Sequence, residues 1–225
     1  MDKLQIGHQV LYKNNQLIAF NKAVTVPVQT QETNALSLLQ MGEKYCQHPL
    51  HLIHRLDQPA SGVILMAKNK KALAHLNRQF QERAVEKYYL AVVKEEPPSS
   101  KGQLSHFMAR ASNNKSKVVG ASYKGAKEAV LEYELIGKSE NYHLLAIKLL
   151  TGRHHQIRAQ LSAVGCPIKG DVKYGFRRSN KDRSIHLHAW KLQFTHPTTG
   201  ERETVEAPLP DDPVWNAFAT VIQAK

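Results

Sequence analysis

Apolar and polar positions alternate in short runs along this chain, and the pattern predicts more strands than helices. Residues 10–12 and 17–20 read as two strands around an Asn14-Asn15 turn. Residues 63–67 form an apolar run that follows a cluster of turn formers. Residues 88–93, 127–136, 142–150, 185–194 and 203–206 are further β-rich segments, separated by polar turns. Helical spacing is confined to a few stretches. Asn34 is placed to cap a helix through Tyr45, with Leu36, Leu39 and Tyr45 on one side. Asn69 caps a second over residues 69–81, where Ala72, Leu73, Leu76 and Phe80 share a face. A third runs through Ala163 and stops at the C′ glycine Gly165, and Asp212 caps a last one. Strands that outnumber helices and adjoin one another predict an α+β fold with a central, mostly antiparallel sheet. No repeat, low-complexity segment or linker interrupts the pattern, so residues 1–225 are expected to form one domain.

Composition narrows the class. With 225 residues, 42% of them hydrophobic, the chain can bury a sizeable core. It carries 31 Lys and Arg against 19 Asp and Glu, a net charge of +12, which suits a polyanionic partner. The excess is concentrated. Lys173, Arg177, Arg178, Lys181 and Arg183 stand against the single acid Asp182, with Tyr174 and Phe176 interleaved. Arg110, Lys115 and Lys117 read as a second basic loop. Cys46 and Cys166 suggest no disulfide framework. The first six residues lack the apolar core of a signal peptide, and no apolar run reaches the ~20 residues of a membrane helix. A cytoplasmic protein without a membrane partner is expected, with a monomer as the default state.

Four segments carry candidate chemistry. The first is His54-Arg55-Leu56-Asp57-Gln58-Pro59-Ala60-Ser61-Gly62. Pro59 fixes its own φ and steers Gln58 away from helix, and Gly62 allows a φ that other residues avoid. Asp57 is therefore expected on a short, rigid loop, where reactive side chains tend to be held. The second is Glu86-Lys87-Tyr88-Tyr89-Leu90-Ala91-Val92-Val93, a strand. The third is Thr151-Gly152-Arg153-His154-His155-Gln156-Ile157-Arg158. The fourth is Leu187-His188-Ala189-Trp190, followed by His196-Pro197-Thr198-Thr199-Gly200-Glu201. Taken singly each has a bland explanation: an Asx turn, a core tyrosine, a solvated arginine.

In this order and spacing, the four segments resemble the RluA-type pseudouridine synthases. The resemblance runs from near Val10, through Asn21-Lys22, to Ala207-Pro208-Leu209-Pro210-Asp211-Asp212. It implies the pseudouridine synthase fold, a sheet split by a basic cleft. Residues 1–225 are expected to hold the catalytic domain alone, with no room for the RNA-binding domain that many relatives carry before it. The implied activity is isomerisation of uridine to pseudouridine in structured RNA, either large-subunit rRNA or tRNA, with no cofactor and no metal. By the same resemblance Asp57 is the catalytic carboxylate, and Tyr89 stacks on the target base. Arg158 is the cation paired with the carboxylate, and Arg55 helps to hold distorted RNA. Gly170-Asp171 and Tyr174-Gly175 match a family loop beside the cleft. Three departures stand out. Lys22-Ala23-Val24 replaces Lys-Pro followed by a small residue and glycine, Ala60 replaces threonine, and His154 replaces another threonine.

These residue types suit the reaction. A carboxylate can attack C1′ of the ribose, stabilise positive charge there, or remove a sugar proton. An adjacent arginine favours its ionised form. Flipping the base out costs a few kcal/mol. An aromatic platform offsets part of that, at ~1–3 kcal/mol per stacked base. Two other classes compete. A metal-dependent hydrolase would draw on His51, His54, His154, His155, His186 and His188, although their spacing fits no well-known zinc motif. A catalytically silent RNA-binding module would share the fold and bind RNA without turnover.

Overall fold

The computed structural model describes residues 6–30 and 36–224. The chain folds as two compact units, each assembled from discontinuous segments. The first comprises Met1–Lys87 and Ala189–Leu209, and the second comprises Tyr88–His188 and Pro210–Lys225.

In the first unit, β1 (Val10–Lys13) and β2 (Leu17–Lys22) form the expected hairpin. They continue into β4 (Ser61–Ala67), then β10 (Leu187–Thr195) and β11 (Arg202–Glu206), with the short β3 (His51–Leu52) also pairing β4. The strand β4 reads Ser-Gly-Val-Ile-Leu-Met-Ala, and all seven residues are buried. A continuous apolar run marks a strand covered on both faces. Its odd-numbered residues, Val63, Leu65 and Ala67, join Leu17 and Ala19 under α2 (Lys70–Gln81) through Ala72 and Leu76. Its even-numbered residues, Ile64 and Met66, join Ile18 and Phe20 under α1 (Leu38–Cys46) through Leu38 and Met41. Asn69 caps α2 as the sequence predicts, accepting from Ala72 N at 2.9 Å. The start of α1 differs. Ser37 and Gln40 form a reciprocal capping box, so the helix begins at Leu38 and the buried face carries Leu38, Met41 and Gly42. Leu36 is exposed, and Asn34 lies outside the described residues.

The second unit is an antiparallel sheet in the order β5-β9-β8-β6-β7. Its strands are β5 (Glu86–Val93), β6 (Lys101–Ala111), β7 (Lys115–Val119), β8 (Lys127–Lys138) and β9 (His143–Leu149). The helix α3 (Gln156–Ala163) packs Ala159 against Met108 and Ala129 of the sheet and against Tyr174. The segments α4 (Pro213–Asn216) and α5 (Ala219–Gln223) close the unit, and Asp212 caps α4 as expected. One expectation is corrected: Arg110, Lys115 and Lys117 do not lie on a loop. They sit on β6 and β7, paired strands joined at Asn113-Asn114, where both residues have positive φ (57° and 50°). Two adjacent left-handed residues are the requirement of a tight hairpin turn, which asparagine tolerates. Among the described residues no helix is long and apolar enough to cross a membrane.

At Gly62 two strands of the first unit approach closely. Its φ is +113°, and a Cβ there would lie 2.2 Å from the carbonyl oxygen of Ala189 on β10. The residue that follows the Asp57 loop must therefore be glycine for the two strands to meet. Gly62→Ala is expected to lower the unfolding free energy by more than about 2 kcal/mol, from backbone strain and overpacking together, read by urea denaturation.

Candidate active site

Asp57 stands in the segment between β3 and β4 of the first unit, half-buried. Its carbonyl accepts from Ala60 N at 3.1 Å, closing a turn over Gln58 and Pro59. Two anchors hold this turn. The first is Lys22, the last residue of β2, which is fully buried. Lys22 lies on the same strand face as Ile18 and Phe20, so its stem continues their apolar row. Its Nζ donates to the carbonyls of Ala23 (2.9 Å), Val26 (2.9 Å) and Gln58 (3.0 Å). Three acceptors match the three N–H groups of an ammonium. Burial pushes the Lys22 amine down to about 7, and the Asp57 carboxylate opposes that shift. Gln58 is gripped again by Thr25: Thr25 N donates to Gln58 O at 3.0 Å, and Gln58 Nε2 donates to Thr25 O at 2.9 Å.

The second anchor is His54. Its Nε2 accepts from Leu65 N of β4 at 3.0 Å, and its ring stacks on Phe80 of α2 with centroids 5.3 Å apart. Accepting at Nε2 requires the neutral ring. Burial first, then the Lys87 cation, pushes the imidazole down to about 4. The His of His-Arg-Leu-Asp is thus a structural pin between a strand and a helix. Arg55, between the pins, is exposed.

The other two expected site residues lie in the second unit. Tyr89 is on β5, half-buried and in register with Ile147 of β9. Arg158 is in the first turn of α3 and is 4% exposed. Asp171 grips its guanidinium bidentately, Nε to Oδ2 at 2.7 Å and Nη2 to Oδ1 at 2.8 Å. The Arg158 fork also lies over the Tyr174 ring, 4.9 Å from its centroid. Asp171 is thus an Arg158 partner that the sequence reading did not assign. Tyr174 is likewise corrected: it is 3% exposed and belongs to the core, not to the basic surface. Its hydroxyl donates to Ser116 O at 3.1 Å, accepts from Ser116 N at 2.9 Å, and bonds His155 Nδ1 at 2.9 Å.

The Thr151–Arg158 segment is fastened at nearly every polar position. Thr151 Oγ1 accepts from Val130 N at 2.9 Å and donates to Gln156 Oε1 at 2.8 Å. Gln156 Oε1 also accepts from Arg153 N at 2.9 Å, and its Nε2 donates to Val130 O at 3.1 Å. Arg153 Nε reaches Glu128 O at 2.8 Å. His154 bonds Ser116 Oγ at 2.9 Å and stacks on His155, with ring centroids 3.8 Å apart. These contacts seat α3 on β7 and β8 and fix where Arg158 begins.

The basic stretch after Tyr174 is anchored at Asn180. Its Oδ1 accepts from Lys169 Nζ at 2.8 Å, and its Nδ2 donates to Ser184 O at 3.0 Å. Arg177, Arg178, Lys181 and Arg183 are exposed around it. Five of the six histidines weighed as metal ligands, His54, His154, His155, His186 and His188, have other contacts. His186 bonds Asp212 at 2.9 Å, and both His186 and His188 pack against Trp215. Among the described residues no group of three or more His, Cys, Asp or Glu is placed to hold a metal ion.

A family model described as RNA pseudouridylate synthase matches residues 16–163, which include Asp57, Tyr89 and Arg158. This chain belongs to that family. A tRNA pseudouridine synthase C from Haemophilus ducreyi is 32% identical over 227 residues, covering 92% of each chain. A ribosomal large subunit pseudouridine synthase C from Vibrio parahaemolyticus is 30% identical, covering 91% of this chain and 67% of its own. An uncharacterized RNA pseudouridine synthase from Mycoplasma pneumoniae is 36% identical over 89% of this chain, which spans only 66% of that relative's length. Among solved structures, human RNA pseudouridylate synthase domain containing 1 superposes with a TM-score of 0.78 at 27% identity, covering 96% of this chain and 93% of its own. The fold is the α+β pseudouridine synthase fold, as the sequence predicts.

Two predictions follow from the anchors of the Asp57 turn. A histidine whose folded pKa lies below its unfolded value stabilises the fold above the unfolded pKa and ceases to do so as pH falls through the folded one. Between pH ~6.5 and about 4 the unfolded chain binds the His54 proton and the native chain does not. Because the residue as a whole is half-buried, this should remove about 2 kcal/mol of stability over that window. His54→Gln should flatten this part of the stability–pH curve, measured by urea unfolding at successive pH values. Lys22→Met keeps the stem but leaves three carbonyls without their donor. It is expected to cost about 2–4 kcal/mol, read by the same method at pH 6.

Proposed function

We propose that this protein converts uridine to pseudouridine at a specific position in a structured RNA. The observation that carries the reading is Asp57 on a twice-anchored turn, within the His-Arg-Leu-Asp sequence and inside the family match. The reaction breaks the bond from ribose C1′ to uracil N1 and forms one from C1′ to C5, and the proton on C5 moves to N1. No atom is gained or lost. Asp57 is the catalytic residue, acting at the sugar of a flipped-out nucleotide as nucleophile, charge stabiliser or proton acceptor.

Tyr89 is assigned to stack on the uracil and Arg55 to contact the distorted RNA. Arg158 is assigned as the cation partner of the catalytic carboxylate. The bidentate clamp from Asp171 fixes the guanidinium in one orientation. The exposed cations around Asn180 supply phosphate contacts that position RNA without reading sequence. The substrate class is tRNA or large-subunit rRNA, the two named for its relatives, and the enzyme works as a cytoplasmic monomer.

The test uses total RNA from cells lacking the gene, treated with purified protein and mapped for pseudouridine by carbodiimide modification. The wild type should modify one site or a small set. Asp57→Asn should lose conversion by about a thousandfold or more while its RNA Kd stays within about threefold. Conversion by Asp57→Asn would refute the assignment. A wild type that binds RNA without converting it would favour the silent RNA-binding module.

A further inference from the structure

The outer face of the β6–β7 hairpin has the makings of a second RNA contact. Residues 101–127 contain six cations, Lys101, Arg110, Lys115, Lys117, Lys124 and Lys127, and no acid. Strand alternation divides the hairpin into two faces. His106, Met108, Ser116 and Val118 turn toward α3 and the segment that leads into it: His106 bonds Gln160, Ser116 Oγ bonds His154, and Met108 and Val118 pack in the core around Ala159. Phe107, Lys117 and Val119 therefore turn the other way, and Phe107 stands directly opposite Val119. Phe107 is 40% exposed. Tyr123, in the turn after β7, is 45% exposed, and its ring lies beneath Lys117 Nζ at 4.7 Å from the centroid.

Lysine on an edge strand has a bland use, because it discourages edge-to-edge pairing with another sheet. Exposed phenylalanine and tyrosine beside it do the opposite, so the edge-protection argument does not cover them. A second copy of this chain is a poor occupant, because the face would meet its own positive charge. A duplex is a poor one too, since its bases are hidden in the stack. Unpaired RNA fits both parts of the surface: bases stack on aromatic rings, and phosphates meet lysines. The face also has a boundary. On β8 the residues sharing this side include Glu128, Glu132 and Glu134, with Glu128 opposite Phe107. An anionic strand is thereby steered along β7 instead of across β8.

We propose that the outer face of the β6–β7 hairpin docks an unpaired segment of the substrate RNA, with Phe107 and Tyr123 as base-stacking platforms and Lys117 between them. The proposal rests on the reading of the protein as an RNA-modifying enzyme.

The test uses the full chain and a 12-nucleotide unstructured RNA carrying 5-iodouridine. Such a base cross-links on irradiation to an aromatic ring on which it stacks. Peptide mapping should find cross-links at Phe107 or Tyr123. The double variant Phe107→Ala, Tyr123→Ala should lose them and bind the RNA at least about tenfold more weakly, with thermal unfolding unchanged because both side chains are exposed. A duplex of the same length should compete poorly. Absence of cross-links at both residues, or a Kd of the double variant within twofold of wild type, would overturn the proposal. So would sedimentation showing that the wild type is a dimer and the double variant a monomer. Failure of the enzymatic reading gives a different result: cross-links and binding persist, but the wild type forms no pseudouridine.

Discussion

A fully buried lysine ammonium is the constraint on which the Asp57 turn depends. Lys22 gives up its hydration, and the three carbonyls of Ala23, Val26 and Gln58 replace it. These come from two separate stretches of chain. A buried charge is costly unless it is fully hydrogen-bonded, so the arrangement tolerates little displacement of any partner. An apolar residue could fill the volume, but it would not gather the carbonyls. The charge thus gives geometric definition more than net stability. The Asp57 carboxylate contributes to the same balance by favouring the charged amine.

The second unit solves a similar problem with different parts. Arg158 is buried at the start of a short helix whose N-cap, His155, has a left-handed conformation and makes no side-chain cap. Such a start is weak by itself. It is held by Gln156 and Thr151 bonding to Val130, by His154 bonding to Ser116, and by Asp171 clamping the arginine. Tyr174 gathers several of these contacts in its hydroxyl and its ring. In both units a polar group that touches the proposed chemistry is fixed by neighbours with no part in it.

Much of this was legible in the sequence, and the exceptions have physical reasons. The β1–β2 hairpin, the helix capped by Asn69, the β8–β9 pair and the Asp212 cap follow from local signals that tertiary contacts did not overrule. The β6 and β7 strands do not read as strands because polar residues (Lys101, Gln103, Ser105, Arg110, Lys115, Lys117) fall on both faces of the hairpin and break the apolar alternation. Lys, Gln and Ser have low β propensity. The Asn113-Asn114 pair was the available signal. The start of α1 is ambiguous in the sequence because Asn34 and Ser37 are both good cap types, and the reciprocal Gln40 is the signal that favours Ser37. At the site, Asp57 and Arg158 stood out by resemblance, but their supports did not. His54 drew attention as a possible metal ligand, when its nitrogen serves a backbone amide eleven residues later. Asp171 lies thirteen residues from Arg158, and Tyr174 fifty-eight from Ser116. Sequence spacing does not report partners brought together by the sheet.

The departure at Lys22-Ala23-Val24 shows how strongly the turn is determined. The next residue, Thr25, has φ of +66°, which a β-branched side chain adopts at a cost of about 1–2 kcal/mol. Left alone, the segment would relax to a commoner conformation. It is prevented from doing so because Thr25 is bonded through both its N–H and its carbonyl to Gln58, whose own carbonyl also receives Lys22. Releasing Thr25 would break two hydrogen bonds and disturb the ammonium cage, a loss larger than the strain relieved. The segment therefore holds this turn without the proline and glycine that the family resemblance leads one to expect there. Specificity of backbone at this position resides in the lysine and in the residue after Asp57, and local propensity has become secondary.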